Sequence, residues 1–382
     1  MSDTKILSER IEFLRGFFSL QVLLAHAFEQ ALLHPNASPR GETWARILSS
    51  SIGLGYLGVT GFFILSGYCI HASLRNNIKR GKTLKNYAAA RATRILPMFF
   101  VGLVLALFCE WLMKGMIRPE RWFLQAPFDS GASLWHEIWP SLLSLQGVFG
   151  TFGSYEPSWS ISFEVIYYLV WPLFFYCFAR RKDERMAHTL VAAYLISAFL
   201  MMAGYVAWRM QGSEGGTILL KLWNVPYGFF TWLFGVALLV FWREEWQKHA
   251  RRLLVPIGLL CLLACFLLSW NQSSQIFNML KLPLQLTAFG LLLMVDWRPL
   301  VRGKALRWLA DLSFPLYVMH GPLQMLLGAV AKTYFPSLSW GVIFVLSIGV
   351  PVLIAGSGGV FLERFFLNSR RRFSNRQSEQ GI

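Results

Sequence analysis

ERIEFLRGFFSLQVLLAHAFEQALL, residues 9–33, is an apolar run long enough to cross a bilayer, yet it carries Arg15 and His26. A span needs about 20 mostly apolar residues, 1.5 Å apart along the helix axis. Eleven residues at 3.6 per turn bring the second ionisable group to within about 20° of the first. Glu12, Arg15, Ser19, Val22 and His26 therefore form one stripe, continued by Glu29 and Gln30. Ionisable groups at membrane depth are costly; they face a bundle interior or a wet cavity and mark function.

The rest of the chain has the same character. Of its 382 residues, 55% are hydrophobic and only 15% charged, with a mean hydropathy of +0.46. Ten stretches read as spans: 11–33, 51–71, 95–114, 158–179, 187–210, 224–242, 253–270, 278–295, 308–331 and 339–361. The expected fold is all-α, a polytopic membrane protein of about ten transmembrane helices.

Ten spans place both termini on one side, and the positive-inside rule selects which. Lys and Arg concentrate in alternate connectors, Arg75–Arg94, Arg180–Arg185, Arg243–Arg252 and Arg298–Arg307, and in both tails. Both ends are expected to be cytoplasmic, with the protein in the inner (plasma) membrane. The formal charge of +16 then reflects topology and attraction to anionic membrane lipid, not nucleic acid.

No small-residue cleavage site follows a short apolar core at the N-terminus, so the first span reads as a retained helix. Cys69, Cys109, Cys177, Cys261 and Cys265 all fall in apolar spans without a CxxC or any metal-ligand grouping, and read as small packers. One domain is expected over 1–365, with 366–382 a short basic cytoplasmic tail. The connector Gly115–Pro157 is rich in aromatics, including Trp122, Phe123, Phe128, Trp135, Trp139, Phe149, Phe152 and Tyr155. They fit either an interfacial belt or a stacking surface for a sugar ring.

Other spans hold further chemistry. In GLGYLGVTGFFILSGYCIHASLR, glycines 53, 55, 58, 61 and 67 leave room for close helix approach, and Ser66 borders a potential cavity. RATRILP places Arg91 and Arg94 three residues apart, neighbours on a helix. Forked, permanently charged guanidiniums at a membrane entrance suit a phosphorylated donor, or else simply lipid headgroups. PSWSISFEVIYYLVWPLFFY carries Glu164, the strongest intramembrane carboxylate, with Trp159 and Ser160 before it and Tyr167 and Tyr168 after it. Beside His26 or an Arg it would stay charged and could orient a base. LSFPLYVMHGPLQMLL sets Tyr317 and His320 within one turn, flanked by Pro315 and Pro322, where a bend is expected.

Taken in order, these motifs resemble the membrane-bound acyltransferase 3 family over nearly the whole chain. They are the Arg-x10-His of Arg15 and His26, FFILSGY from Phe62, the Arg-x-x-Arg of Arg91 and Arg94, WSISFEVIYYLVWP around Glu164, and LYVMHGP around His320. The resemblance implies transfer of an acyl group, usually acetyl, from cytoplasmic acyl-CoA to a hydroxyl of an extracytoplasmic saccharide or lipid-linked glycan. It also implies that Arg15 and His26 are essential, and that Arg91 and Arg94 lie near the donor. Many relatives have Asp where Glu12 stands. With no esterase-like segment after the last span, the chain looks like the stand-alone form.

On this reading His26, Arg15 and Glu164 are catalytic, and Arg91, Arg94, Arg15 and Ser66 hold acetyl-CoA or another acyl-CoA. Glu12, Trp159, Tyr317 and His320 contact the acceptor. His26 lies roughly 21 Å beyond Glu12 along the helix, a gap that an extended pantetheine arm can span. The competing class is a secondary transporter or flippase using the intramembrane Arg, His and Glu. Against it stands the lack of an internal hydropathy repeat.

Overall fold

The computed structural model describes residues 3–32, 39–118, 127–128, 131, 133–176, 184–211, 216–241, 260, 285–286, 288–289 and 303–379. These are overwhelmingly helical, with no strand among the described residues. Along the chain run α1 (Asp3–Leu32), α2 (Pro39–Lys79) and α3 (Leu84–Leu112), then α4 (Leu134–Leu142), the single turn α5 (Gln146–Phe149) and a 3-10 turn (Gly153–Ser158). They continue with α6 (Trp159–Phe174), α7 (Glu184–Gln211), α8 (Gly216–Phe241), α9 (Lys304–Tyr334) and α10 (Trp340–Ile354). A π turn (Ala355–Gly359) leads into α11 (Val360–Glu379), which runs unbroken past residue 366.

Six helical stretches among the described residues are long and apolar enough to cross a membrane: Glu9–Ala31, Leu57–Lys79, Leu84–Leu112, Met186–Gly204, Arg307–Tyr334 and Trp340–Ser369. The protein is a multi-pass membrane protein, as its sequence predicts. The stretches 253–270 and 278–295 lie largely outside the described residues, as do Cys177, Cys261, Cys265, Trp122, Phe123 and most of the basic connectors after residue 180.

Local chemistry sets the helix starts. Gly81, at φ +65°, turns the chain out of α2 in a conformation that costs a Cβ-bearing residue more. Thr83 then caps α3 reciprocally: its Oγ1 accepts from the Asn86 N–H at 3.3 Å, and the Asn86 side-chain oxygen accepts from the Thr83 N–H at 3.0 Å. Ser339 caps α10 through the Val342 N–H.

Helix α1 packs against α2, α9 and α10; α2 packs in turn on α8, α8 on α7, and α9 on α3. Two glycines make the α2–α8 crossing close. A Cβ on Gly67 would strike the Trp232 carbonyl, and one on Gly235 would strike the Ile64 carbonyl. Gly58 and Gly61 likewise face Phe18 and Val22 of α1. Small residues thus do the packing work expected of them; the side chains around 53 and 55 lie outside the described set. In α9, Pro315 and Pro322 remove two backbone donors.

Candidate active site

Helices α1, α2, α3, α6 and α9 line a cavity of about 180 Å³. Its polar lining comprises Arg15 of α1, Ser66 and Cys69 of α2, Arg91 and Arg94 of α3, Ser160, Glu164 and Tyr168 of α6, and Ser313 and Tyr317 of α9. Phe62, Phe63, Ile95, Ile161 and Phe314 supply apolar wall between them. Six residues singled out in the sequence, Arg15, Ser66, Arg91, Arg94, Glu164 and Tyr317, therefore meet around one space.

The charge of that space is positive. Arg15, Arg91 and Arg94 face one lining carboxylate, Glu164, while Glu363 of α11 stands within electrostatic reach of Arg15 and Arg94. Three guanidiniums against two carboxylates leave an excess that favours an anionic ligand. Arg91 is steadied by Ser73, whose hydroxyl accepts at 3.4 Å, and lies 5.9 Å from the Tyr87 ring centroid as a cation–π contact.

Glu164 terminates a chain of donors. The Trp232 indole donates to Ser66 Oγ at 3.1 Å, Ser66 and Tyr168 hydroxyls lie 2.8 Å apart, and Tyr168 donates to Glu164 Oε2 at 3.0 Å. Tyr168 gives its proton to the carboxylate, and the Ser66 hydroxyl, within hydrogen-bonding reach of both Tyr168 and Glu164, donates toward the same end, so the bonds run toward the carboxylate. Such aligned bonds polarise one another in a low dielectric. The chain also ties α8 to α2 and α2 to α6.

His26 does not line the cavity; it occupies the next layer. Its ring stacks on that of His320, with centroids 5.3 Å apart and planes at 28°. His320 in turn lies 5.8 Å from the ring of Tyr317, which does line the cavity. Tyr317 is pinned: its hydroxyl is 2.5 Å from Ser160 Oγ and 3.2 Å from the Pro157 carbonyl, and its ring meets Phe62 edge-on at 5.4 Å. The carboxylate hydrogen-bonded to His26 is Glu29, at 3.1 Å from Nδ1, rather than Glu164. Glu12 is half-buried on α1 outside the cavity lining, and Trp159 packs edge-on against Phe63 and Phe163.

Some participants carry weaker sequence signals. Tyr168 is four residues from Glu164, a spacing that faces one residue with the other on a helix. Trp232 reaches Ser66 only through the tertiary fold. Glu110, fully buried on α3, pairs with Arg118 at 2.6 Å and accepts the Ser154 N–H at 2.6 Å. This fixes the 3-10 turn that carries Pro157; a carboxylate inside an apolar span was the signal for it.

Residues 8–356 match the family model described as an acyltransferase domain, acyltransferase 3. The chain belongs to the acyltransferase 3 family. Among its relatives is YrhL of Bacillus subtilis (strain 168), provisionally named a peptidoglycan O-acetyltransferase, with 24% identity over 85% of this chain and 53% of the relative. The peptidoglycan O-acetyltransferase OatA of Listeria monocytogenes serovar 1/2a is 24% identical over 81% of the chain and 51% of its own length. The acyltransferase MdmB of Streptomyces mycarofaciens is 27% identical over 60% and 53%. The chain thus spans about half the length of these relatives. No solved structure matches it. Within this acyltransferase 3 domain, the cavity and the histidine pair both fall inside the matched residues.

Proposed function

We propose that the protein is a membrane O-acyltransferase that moves an acyl group, most simply acetyl, from cytoplasmic acyl-CoA to a hydroxyl of an extracytoplasmic saccharide. The observation that carries this is one continuous succession of side chains, from the arginine-lined cavity through Tyr317 and His320 to His26. Family membership favours group transfer over the transporter reading, and the printed names of YrhL and OatA make peptidoglycan the first acceptor class to try.

Arg15, Arg91 and Arg94 would hold the phosphates of coenzyme A, since guanidinium forks match phosphate oxygens. Ser66 borders the path of the thioester arm. His26, whose ring is partly open at 23% side-chain exposure, takes the proton from the acceptor hydroxyl. The resulting alkoxide oxygen attacks the thioester carbonyl carbon, a C–O bond forms and the C–S bond breaks. The departing thiolate takes back the proton from the imidazolium, so the base is restored in each cycle. Tyr317 borders both the cavity and His320, so on this reading it gives up its bonds to Ser160 and Pro157 to admit the thioester. A donor that fills the cavity displaces the water that would otherwise hydrolyse it.

The test is transfer of labelled acetyl from acetyl-CoA to added glycan in proteoliposomes. His26→Ala should remain folded in the membrane and transfer nothing; wild-type-like transfer would overturn the assignment.

A further inference from the structure

We propose that Glu29 is the positioning residue of His26: it holds the ring proton on Nδ1 and leaves the Nε2 lone pair as the base. The inference rests on the acyl-transfer reading and adds to it a residue outside the family motifs quoted above.

A carboxylate oxygen only accepts, so the 3.1 Å contact between His26 Nδ1 and Glu29 Oε2 requires Nδ1 to carry the hydrogen. In the neutral ring the other nitrogen is then the acceptor. The spacing makes this pairing native to the helix, since residues three apart are neighbours on its surface. Stacking on His320 helps fix the plane of the ring. His320 offers a built-in comparison: its own Nδ1 donates to the carbonyls of Tyr317 at 2.8 Å and Leu316 at 3.1 Å, so it adopts the same tautomer.

The chemistry explains why a carboxylate serves His26 and backbone carbonyls serve His320. A base that accepts a proton becomes an imidazolium, and an adjacent negative charge stabilises that state; a neutral carbonyl does so far less. The His26 ring is mostly covered at 23% exposure while Glu29 is 39% exposed, so their interaction is partly screened. The pair belongs to the same helix face as Arg15, which lines the donor cavity.

Replacement of Glu29 separates the two contributions. Gln keeps an acceptor for Nδ1 and loses the charge, whereas Ala loses both. A general base contributes about 10²–10⁴-fold, so kcat should fall about tenfold in Glu29→Gln and about 100-fold in Glu29→Ala. KM for acetyl-CoA and for the glycan should change less than about twofold, because Glu29 touches neither substrate on this reading. The second readout is ¹⁵N NMR of histidine-labelled protein in nanodiscs, with the His26 signals assigned by their loss in His26→Ala. Wild type should show protonation at Nδ1, Glu29→Gln should keep it, and Glu29→Ala should show a mixture of tautomers while His320 signals stay in place. Unchanged kcat or an unchanged tautomer in Glu29→Ala overturns the proposal. If His26→Ala itself retains transfer, the acyl-transfer assignment falls; if His26→Ala is inactive and Glu29→Ala is fully active, only the role of Glu29 falls.

Discussion

Tyr168→Phe removes one oxygen and with it two hydrogen bonds, to Glu164 at 3.0 Å and to Ser66 at 2.8 Å. A bond to a charged group contributes about 1.5–3 kcal/mol and a neutral one about 0.5–1.5 kcal/mol. The single substitution should therefore cost about 2–4.5 kcal/mol. Ser66→Ala loses the same hydroxyl–hydroxyl bond and also the acceptor for the Trp232 indole at 3.1 Å, a loss of about 1–3 kcal/mol. The shared bond is counted in each single variant and only once in the double. The double variant should accordingly be less damaged than the sum, by about 0.5–1.5 kcal/mol. Reversible unfolding in mixed lipid–detergent micelles, titrated with a denaturing detergent, measures all four corners of the cycle. Strict additivity, within about 0.3 kcal/mol, would show that the two hydroxyls do not share a bond and would break the donor chain onto Glu164.

Two further outcomes concern the cavity. Arg94→Ala should raise KM for acetyl-CoA by about 10- to 100-fold, the equivalent of one charge-assisted bond, and leave kcat for saturating donor nearly unchanged. Arg94→Lys should recover only part of the affinity, because a point charge lacks the planar fork; steady-state kinetics in proteoliposomes checks both. Cys69 lines the same space, so a membrane-permeant alkylating reagent should modify it and stop transfer, and bound coenzyme A should slow that modification. Mass spectrometry of the peptide, with Cys69→Ala as control, reads the outcome, and labelling indifferent to coenzyme A would place the donor elsewhere.

The membrane architecture was legible because hydrocarbon permits few solutions: an apolar run of sufficient length must be a helix that satisfies its own backbone. The stripe from Arg15 to His26 was equally legible, since helical geometry converts spacing directly into a shared face. The grouping of Arg91 and Arg94 with Arg15 is expected from the family resemblance, as nothing local to those residues dictates which helices adjoin; Glu164, expected beside His26 or an Arg, lies with the arginines. Partners across helices were less accessible. Trp232 finds Ser66 only because Gly67 and Gly235 let α2 and α8 approach closely, a packing result that no local pattern encodes. The imidazole partner is local: Glu29 sits three residues from His26 on the same stripe, whereas the more buried Glu164 belongs to the cavity. Glu110 carries the same kind of signal, an isolated carboxylate in the otherwise apolar run from Ile95 to Met113.

The edge-to-face pair of Phe62 and Tyr317 bears on bioenergetics as well as on catalysis. A cell that stores energy as a transmembrane voltage cannot tolerate an open aqueous pore, since each elementary charge leaking down 100 mV dissipates about 2.3 kcal/mol. On the acyl-transfer reading proposed above, these two aromatic rings, 5.4 Å apart in the lining of the arginine-rich cavity, serve as apolar insulation on the donor side. If reagents are joined from two compartments, as proposed, the reaction can then proceed without short-circuiting the battery that separates them.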